Sequence, residues 1–463
     1  MIHKKIFIIT LFLISVFVRN GYSQVPVFKN GDRVCFIGSS IAMNGTNFFY
    51  INLFYATRYP NIKITFLNSG ISGDHTTNIL RRLETDILSR QPNWAVLMIE
   101  ENDLNPSLYY AERQNEPGIM EKRQKALEKW LNNSDTIVQK LLAANIKVIL
   151  QTPTIYDQTG DLPSKNGFGV NDALQQCANH LKQLAKKYTL PLVDCWTILN
   201  NINKTIQEKD SKKSIIGNDR VHVSPMGYFV MAYQFLKSSP VLKNVSAITI
   251  DKKREKVTQQ LNCAVGNLKF DKTNLSFTGE GKSLPFPSPE GVNVDSFFQF
   301  TDELNAEIIQ VKRLPRGTYR IMIDTFATGT FTNVQLNTGI NLSRYKNTPQ
   351  YVQASEVLRL FDEYWRCLRK LRQVKYVEYQ LMDNEMRQTP LTKENGKELI
   401  AKRMEKFKDQ DKAYVDFYQR NFNEYLINKP MEKELQEKAG QLFNEIYQAN
   451  KPFAHHYKIE RTD

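Results

Sequence analysis

Cysteine, histidine and tryptophan are all scarce in this chain: 5, 6 and 4 residues among 463. Cys35, Cys177, Cys195, Cys263 and Cys367 are odd in number and widely spaced, which excludes a disulfide-stapled scaffold. Cys35 and Cys195 lie in apolar, strand-like runs, where a small buried thiol is the expected role. No His or Cys spacing makes a metal-ligand set, and His455 and His456 stand in a charged tail without further ligands. Neither a metal nor an organic cofactor is expected. No block of Lys and Arg with interleaved aromatics occurs, which argues against nucleic acid as a partner. Internal repeats are absent too.

The one long apolar run is N-terminal, in "MIHKKIFIITLFLISVFVRNGYSQ". Two lysines precede about a dozen apolar residues, and small residues follow before Gln24. That pattern is a signal peptide, residues 1–23, too short for a comfortable membrane span. A secreted or periplasmic protein with no transmembrane segment is expected. Losing Lys4, Lys5 and Arg19 with the leader takes the net charge from +14 to +11. A positive balance favours acidic partners, uronate-containing glycans and anionic surfaces among them.

From Gln24 to about Pro240, short apolar runs alternate with amphipathic ones. "RVCFIG", "KITFLNSG", "WAVLMIEEN", "IKVILQTP" and "LPLVDCW" read as buried strands; "TTNILRRLETDILSR" and "DALQQCANHLKQLAKKY" read as helices. The alternation predicts a parallel sheet with helices on both faces, residues 24–240. Residues 241–345 read as a small β-rich module with strands at "IIQVKRL", "GTYRIMID" and "FTNVQL". Residues 346–463 read as helical, split by Pro390 and Pro430 into three segments.

Four stretches in the first region bear chemistry. Gly38-Ser39-Ser40 follows strand one and "NSGISGD" (68–74) follows strand two. "EENDL" (100–104) follows strand three, and "NDRVHVSPMGY" places Asp219 three residues before His222 ahead of a helix. In a parallel sheet the first three emerge at one carboxyl edge. Acyl transfer needs a hydroxyl, a base, an acid orienting the base, and donors for the oxyanion. Ser40, His222 and Asp219 supply the first three; the N–H groups of Ser40 and Gly73 and the Asn102 amide are candidate oxyanion donors. Singly, each residue is as readily a turn or capping residue. It is the ordered set that points to catalysis.

These blocks resemble those of the SGNH (GDSL-type) hydrolases, over roughly residues 30–237. The resemblance implies a three-layer α/β/α flavodoxin-like domain and serine esterase chemistry, with Ser40 at the nucleophile's place, Gly73 and Asn102 in the second and third blocks, and Asp219 and His222 in the last. Two positions depart from the family pattern: Ser39 replaces an aspartate, and Glu100 replaces a glycine beside the oxyanion hole. A partly buried structural carboxylate is the default reading for Glu100. Residues 337–354, "NTGINLSRYKNTPQYVQA", loosely resemble a segment of exported SGNH proteins from glycan-degrading bacteria and would wall the pocket if packed beside the first domain. The expected substrates are O-acyl, especially O-acetyl, esters on poly- or oligosaccharides. Lipid or aryl esters, and a glycan-binding protein on an inactive SGNH fold, stay open as alternatives.

Overall fold

The computed structural model describes residues 23–388, 393–407 and 410–463. All but the last residue of the leader segment lie outside the described residues, as does Pro390. Five strands form a parallel sheet: β1 (Arg33–Gly38), β2 (Thr65–Gly70), β3 (Trp94–Met98), β4 (Lys147–Gln151) and β5 (Leu192–Val193), in the order β2-β1-β3-β4-β5. Side chains along a strand alternate between faces, so a strand covered on both sides has no polar face to show. Val34, Phe36, Phe66 and Val96 enter one core, while Cys35, Ile37, Leu67 and Leu97 enter the other.

Helices α1 (Ser40–Asn44) and α2 (Thr46–Arg58) cover the first face, and α3 (Thr76–Arg81), α4 (Ile119–Ala143) and α5 (Val170–Tyr188) the second. Helices α6 (Cys195–Gln207) and α7 (Pro225–Lys237) return to the first face. This is the three-layer flavodoxin-like arrangement expected. One detail differs from the sequence reading. Asp194 accepts the Thr197 N–H at 3.2 Å and caps α6, so Cys195 begins a helix instead of continuing a strand. All five cysteines are buried and free.

Beyond α7, two sheets enclose a separate core. One holds β6 (Asn244–Asp251), β7 (Lys256–Leu261), β10 (Ala306–Lys312) and β13 (Ile340–Asn341); the other holds β8 (Cys263–Phe270), β9 (Leu275–Gly281), β11 (Thr318–Ile323) and β12 (Phe326–Thr332). A short α8 (Phe300–Glu303) precedes β10. The run "FTNVQL" is only partly strand. Thr332 and Gln335 form a reciprocal capping box that ends β12 and starts α9 (Asn333–Thr338).

The C-terminal region contains α10 (Pro349–Tyr376), α11 (Asn384–Gln388), α12 (Lys393–Glu405), α13 (Lys412–Asn428) and α14 (Glu432–Ala449). It is not an appendage. On α10, Trp365 meets Phe48 and Phe49 of α2 with ring centres 5.2 and 5.6 Å apart, extending the first domain's core. The last residues then form β14 (Ala454–Arg461), inserted between β9 and β11. The charged tail of the sequence reading is therefore a central strand, with His455 buried and its Nδ1 2.7 Å from Asp324 Oδ2. Residues 337–354 join the β module to α10, where Asn341 and Gln350 hydrogen-bond Glu307. Among the described residues, no helix is long and apolar enough to cross a membrane.

Candidate active site

Ser40 is the first residue of α1, directly past the end of β1. Its Oγ lies 2.9 Å from Nε2 of His222, 182 residues away, and Nδ1 of His222 lies 2.7 Å from Oδ2 of Asp219. The other Asp219 oxygen accepts the N–H groups of Val221 and His222, both at 3.0 Å. Partial burial pushes the Asp219 carboxyl up, but the His222 ring and these N–H groups together outweigh it and hold it below its ordinary value. With Nδ1–H donating to the carboxylate, Nε2 is left to accept a proton from Ser40. The His222 and Asp219 side chains are 48% and 54% exposed, so the dyad lies open at the rim.

The Asp219–His222 loop is held by a residue the sequence reading did not single out. Arg220 has φ +68°, and its buried guanidinium donates to the carbonyls of Ser164, Asp157, Gly160 and Leu162 at 2.8–3.0 Å. A left-handed non-glycine residue costs roughly 1–3 kcal/mol, which these charge-assisted bonds offset.

The end of β2 meets α1 closely: a Cβ on Gly70 would stand 2.1 Å from the Met43 backbone nitrogen. Gly73 adopts φ +76°, the left-handed region that favours glycine. The Asn102 amide donates to the Asp74 carbonyl at 2.9 Å, which ties the third block to the second. Asp103 tightens the joint by accepting the Thr76 N–H and hydroxyl, each at 2.7 Å. It thus satisfies the first N–H of α3, while Asp74 is taken by Arg82 Nε at 2.7 Å. Among the described residues, neither the Ser40 nor the Gly73 N–H is taken by a protein acceptor.

Glu100 turns toward the loop that follows β4. It is buried, and its Oε2 accepts the N–H and hydroxyl of Thr154 at 2.8 and 3.0 Å. Burial, reinforced by the neighbouring Glu101, pushes its carboxyl up to about 8 despite those two bonds. At neutral pH Glu100 is predominantly uncharged, so it adds little negative charge to its surroundings.

Beside Ser40 opens a cleft of about 260 Å³. Ser40, Met43, Asn44 and Ser72 form one wall; Arg369, Arg372, Gln373 and Tyr376 of α10 and Phe417 and Asn421 of α13 form the other. The expected wall, residues 337–354, does not line this cleft; the second half of α10 and α13 do. No sequence pattern marked these positions, because their spacing is that of ordinary helix packing.

A flavodoxin-like sheet with a serine, histidine and aspartate in hydrogen-bonded sequence above its carboxyl edge defines a serine hydrolase of ester bonds. Residues 36–229 match the GDSL-like Lipase/Acylhydrolase family, so this region of the chain is an SGNH (GDSL-type) hydrolase domain. An acetylxylan esterase of Geobacillus stearothermophilus is 25% identical over 224 residues, 45% of this chain and 94% of that protein. Over its whole length the chain is also similar to a gut microbial diltiazem-metabolizing enzyme of known structure. That likeness has 25% identity and a TM-score of 0.82, covering 95% of this chain and 100% of the other.

Arg220→Ala is expected to lower kcat on p-nitrophenyl acetate by roughly 10- to 100-fold, because small displacements of a base cost that much. Arg220→Lys, which cannot fork to four carbonyls, recovers only part. Steady-state kinetics of the two variants checks this; wild-type rates in both would show that the loop holds itself.

Proposed function

We propose that the protein is an exported esterase that removes O-acyl groups, above all O-acetyl groups, from carbohydrates. The observation that carries the reading is the unbroken relay from Ser40 Oγ through His222 to Asp219. Ser40 attacks the ester carbonyl carbon as its proton passes to His222 Nε2. The N–H groups of Ser40 and Gly73 and the amide of Asn102 receive the oxyanion. When the tetrahedral intermediate collapses, His222 returns the proton to the leaving sugar oxygen and the acyl group stays on Ser40. Water, deprotonated by the same imidazole, then releases the acid. Asp219 holds the tautomer and stabilises the imidazolium. The signal-peptide pattern supports export, and the acetylxylan esterase relative supports an acetylated sugar.

The full-length likeness to a diltiazem-metabolizing enzyme favours a second reading, turnover of small organic esters. Acetate release from acetylated xylooligosaccharides, compared with hydrolysis of p-nitrophenyl acetate and p-nitrophenyl octanoate, separates the two. Under the carbohydrate reading, kcat/KM is at least tenfold higher on the acetylated sugar than on either aryl ester. The reverse order establishes the second reading, and recovery of the protein from the cytoplasm with its leader uncleaved refutes export.

A further inference from the structure

The cleft beside Ser40 has an asymmetric charge. Its described lining includes two guanidinium groups, Arg369 and Arg372, and no carboxylate. The two arginines, three residues apart, share a face of α10, yet only one is committed. Arg372 is buried; Nε donates to the Gly70 carbonyl at 2.7 Å, and Nη1 and Nη2 grip Asp86 at 2.7 and 2.8 Å. Arg82 uses the same Asp86, together with Asp74, and among the described residues Arg90 donates only to neutral oxygens of Asn68 and Ser69. Behind the cleft, three guanidinium groups thus face two carboxylates.

Arg369 is exposed and makes no ion pair or hydrogen bond among the described residues. Its charge also reaches Tyr228 on α7. Burial raises that phenol, Glu100 and Asp219 add to the effect, and Arg369 opposes it. A free guanidinium beside a nucleophile, backed by surplus positive charge, is suited to hold an anion bidentately. The cleft approaches the size of small-molecule pockets, about 300 Å³ at their lower end, and an acetyl group alone would not fill it.

We infer that Arg369 forms a carboxylate subsite for the alcohol half of the substrate, so that the preferred esters carry a carboxylate close to the acyl group. This rests on the esterase reading above and sharpens its substrate class to acidic esters. Such a carboxylate comes from a sugar acid or from an aromatic acid, and the test has an arm for each.

The first arm compares O-acetylated oligogalacturonate with its methyl-esterified form, and the second compares 4-acetoxybenzoate with methyl 4-acetoxybenzoate, following acetate release throughout. In wild type, kcat/KM is expected to favour the acidic member of at least one pair by roughly 10- to 100-fold, the scale of one charge-assisted contact. The effect should sit mainly in KM and shrink in 0.5 M NaCl. In Arg369→Gln the acid-to-neutral ratio is expected to fall at least tenfold, and in Arg369→Glu the preference should reverse. The arm that keeps the larger wild-type ratio identifies the source. Equal ratios in wild type and Arg369→Gln, or a wild-type preference for the neutral member of both pairs, overturn the subsite. A binding measurement keeps the two ideas apart. Ser40→Ala and Ser40→Ala/Arg369→Gln proteins are titrated with trigalacturonate by ligand-observed NMR. Arg369-dependent binding without wild-type turnover of any ester supports the subsite and refutes the esterase reading; binding independent of Arg369 refutes the subsite.

Discussion

Ser40→Ala protein is expected to fold normally and to lose ester turnover, with kcat on p-nitrophenyl acetate down by about 10⁶-fold. Both halves of this expectation follow from the position of Ser40. The residue opens α1, and among the described residues its hydroxyl bonds only to His222, so alanine removes the attacking atom without opening a cavity or orphaning a buried partner. Thermal midpoint and far-UV circular dichroism should match wild type. His222→Ala should be nearly as damaging, and the double variant scarcely worse than either, because an alcohol and its base act as one unit. Ser39→Ala is the control. Among the described residues that neighbouring hydroxyl is buried without a partner, one residue from the relay, and its removal should leave most of the rate intact. If Ser40→Ala kept a tenth of wild-type kcat, the nucleophile would have to be another residue.

Glu100→Gln is expected to remove a pH-dependent loss of stability. In the unfolded chain Glu100 has the ordinary value of 4.5; in the fold, burial raises it to about 8. Below about pH 4.5 both states hold the proton and the group makes no difference. Between about 4.5 and 8 the folded state keeps a proton that the unfolded chain has released. Stability therefore falls by about 1.4 kcal/mol per pH unit from this group alone, and the loss is complete above about 8. Glu307, buried and pushed up to about 7 despite Arg58 and Gln350, adds a loss of the same sign that stops near 7. Urea unfolding at pH 7 and pH 8 isolates Glu100: wild type should lose stability across that interval relative to the variant, which should also be the more stable at pH 8. Equal slopes would show that Glu100 is ionised in the fold.

Several features were legible because they depend on local pattern. Uninterrupted apolar runs such as "RVCFIG" mark a strand covered on both faces, and β1 spans those residues. Asp219 and His222 were legible as a pair because three residues of chain confine them to one loop. The hydrogen bond from Ser40 to that loop was readable only by analogy, since 182 residues separate the partners. Residues that support the site left no trace. Arg220 looks like any loop arginine until four carbonyls converge on it, and Asp103 looks like a turn residue until α3 begins beneath it. The tail "AHHYKIER" reads as charged and solvated, yet it is a strand whose alternate residues His455, Tyr457 and Ile459 are buried. Its partners lie more than a hundred residues upstream, and pairing at that distance leaves little local imprint.

By itself the sequence determined the layered sheet, the order of its strands along the chain, and the chemical types gathered at one edge, because side-chain periodicity and short-range geometry are written in neighbouring residues. Tertiary structure alone decided how the loops after β2 and β3 are tied together, where Glu100 points, and that α10 and α13 wall the cleft and bring Arg369 into the same lining as Ser40. Those outcomes depend on which surfaces exclude water against each other, a property of the packed chain that no short stretch of residues contains.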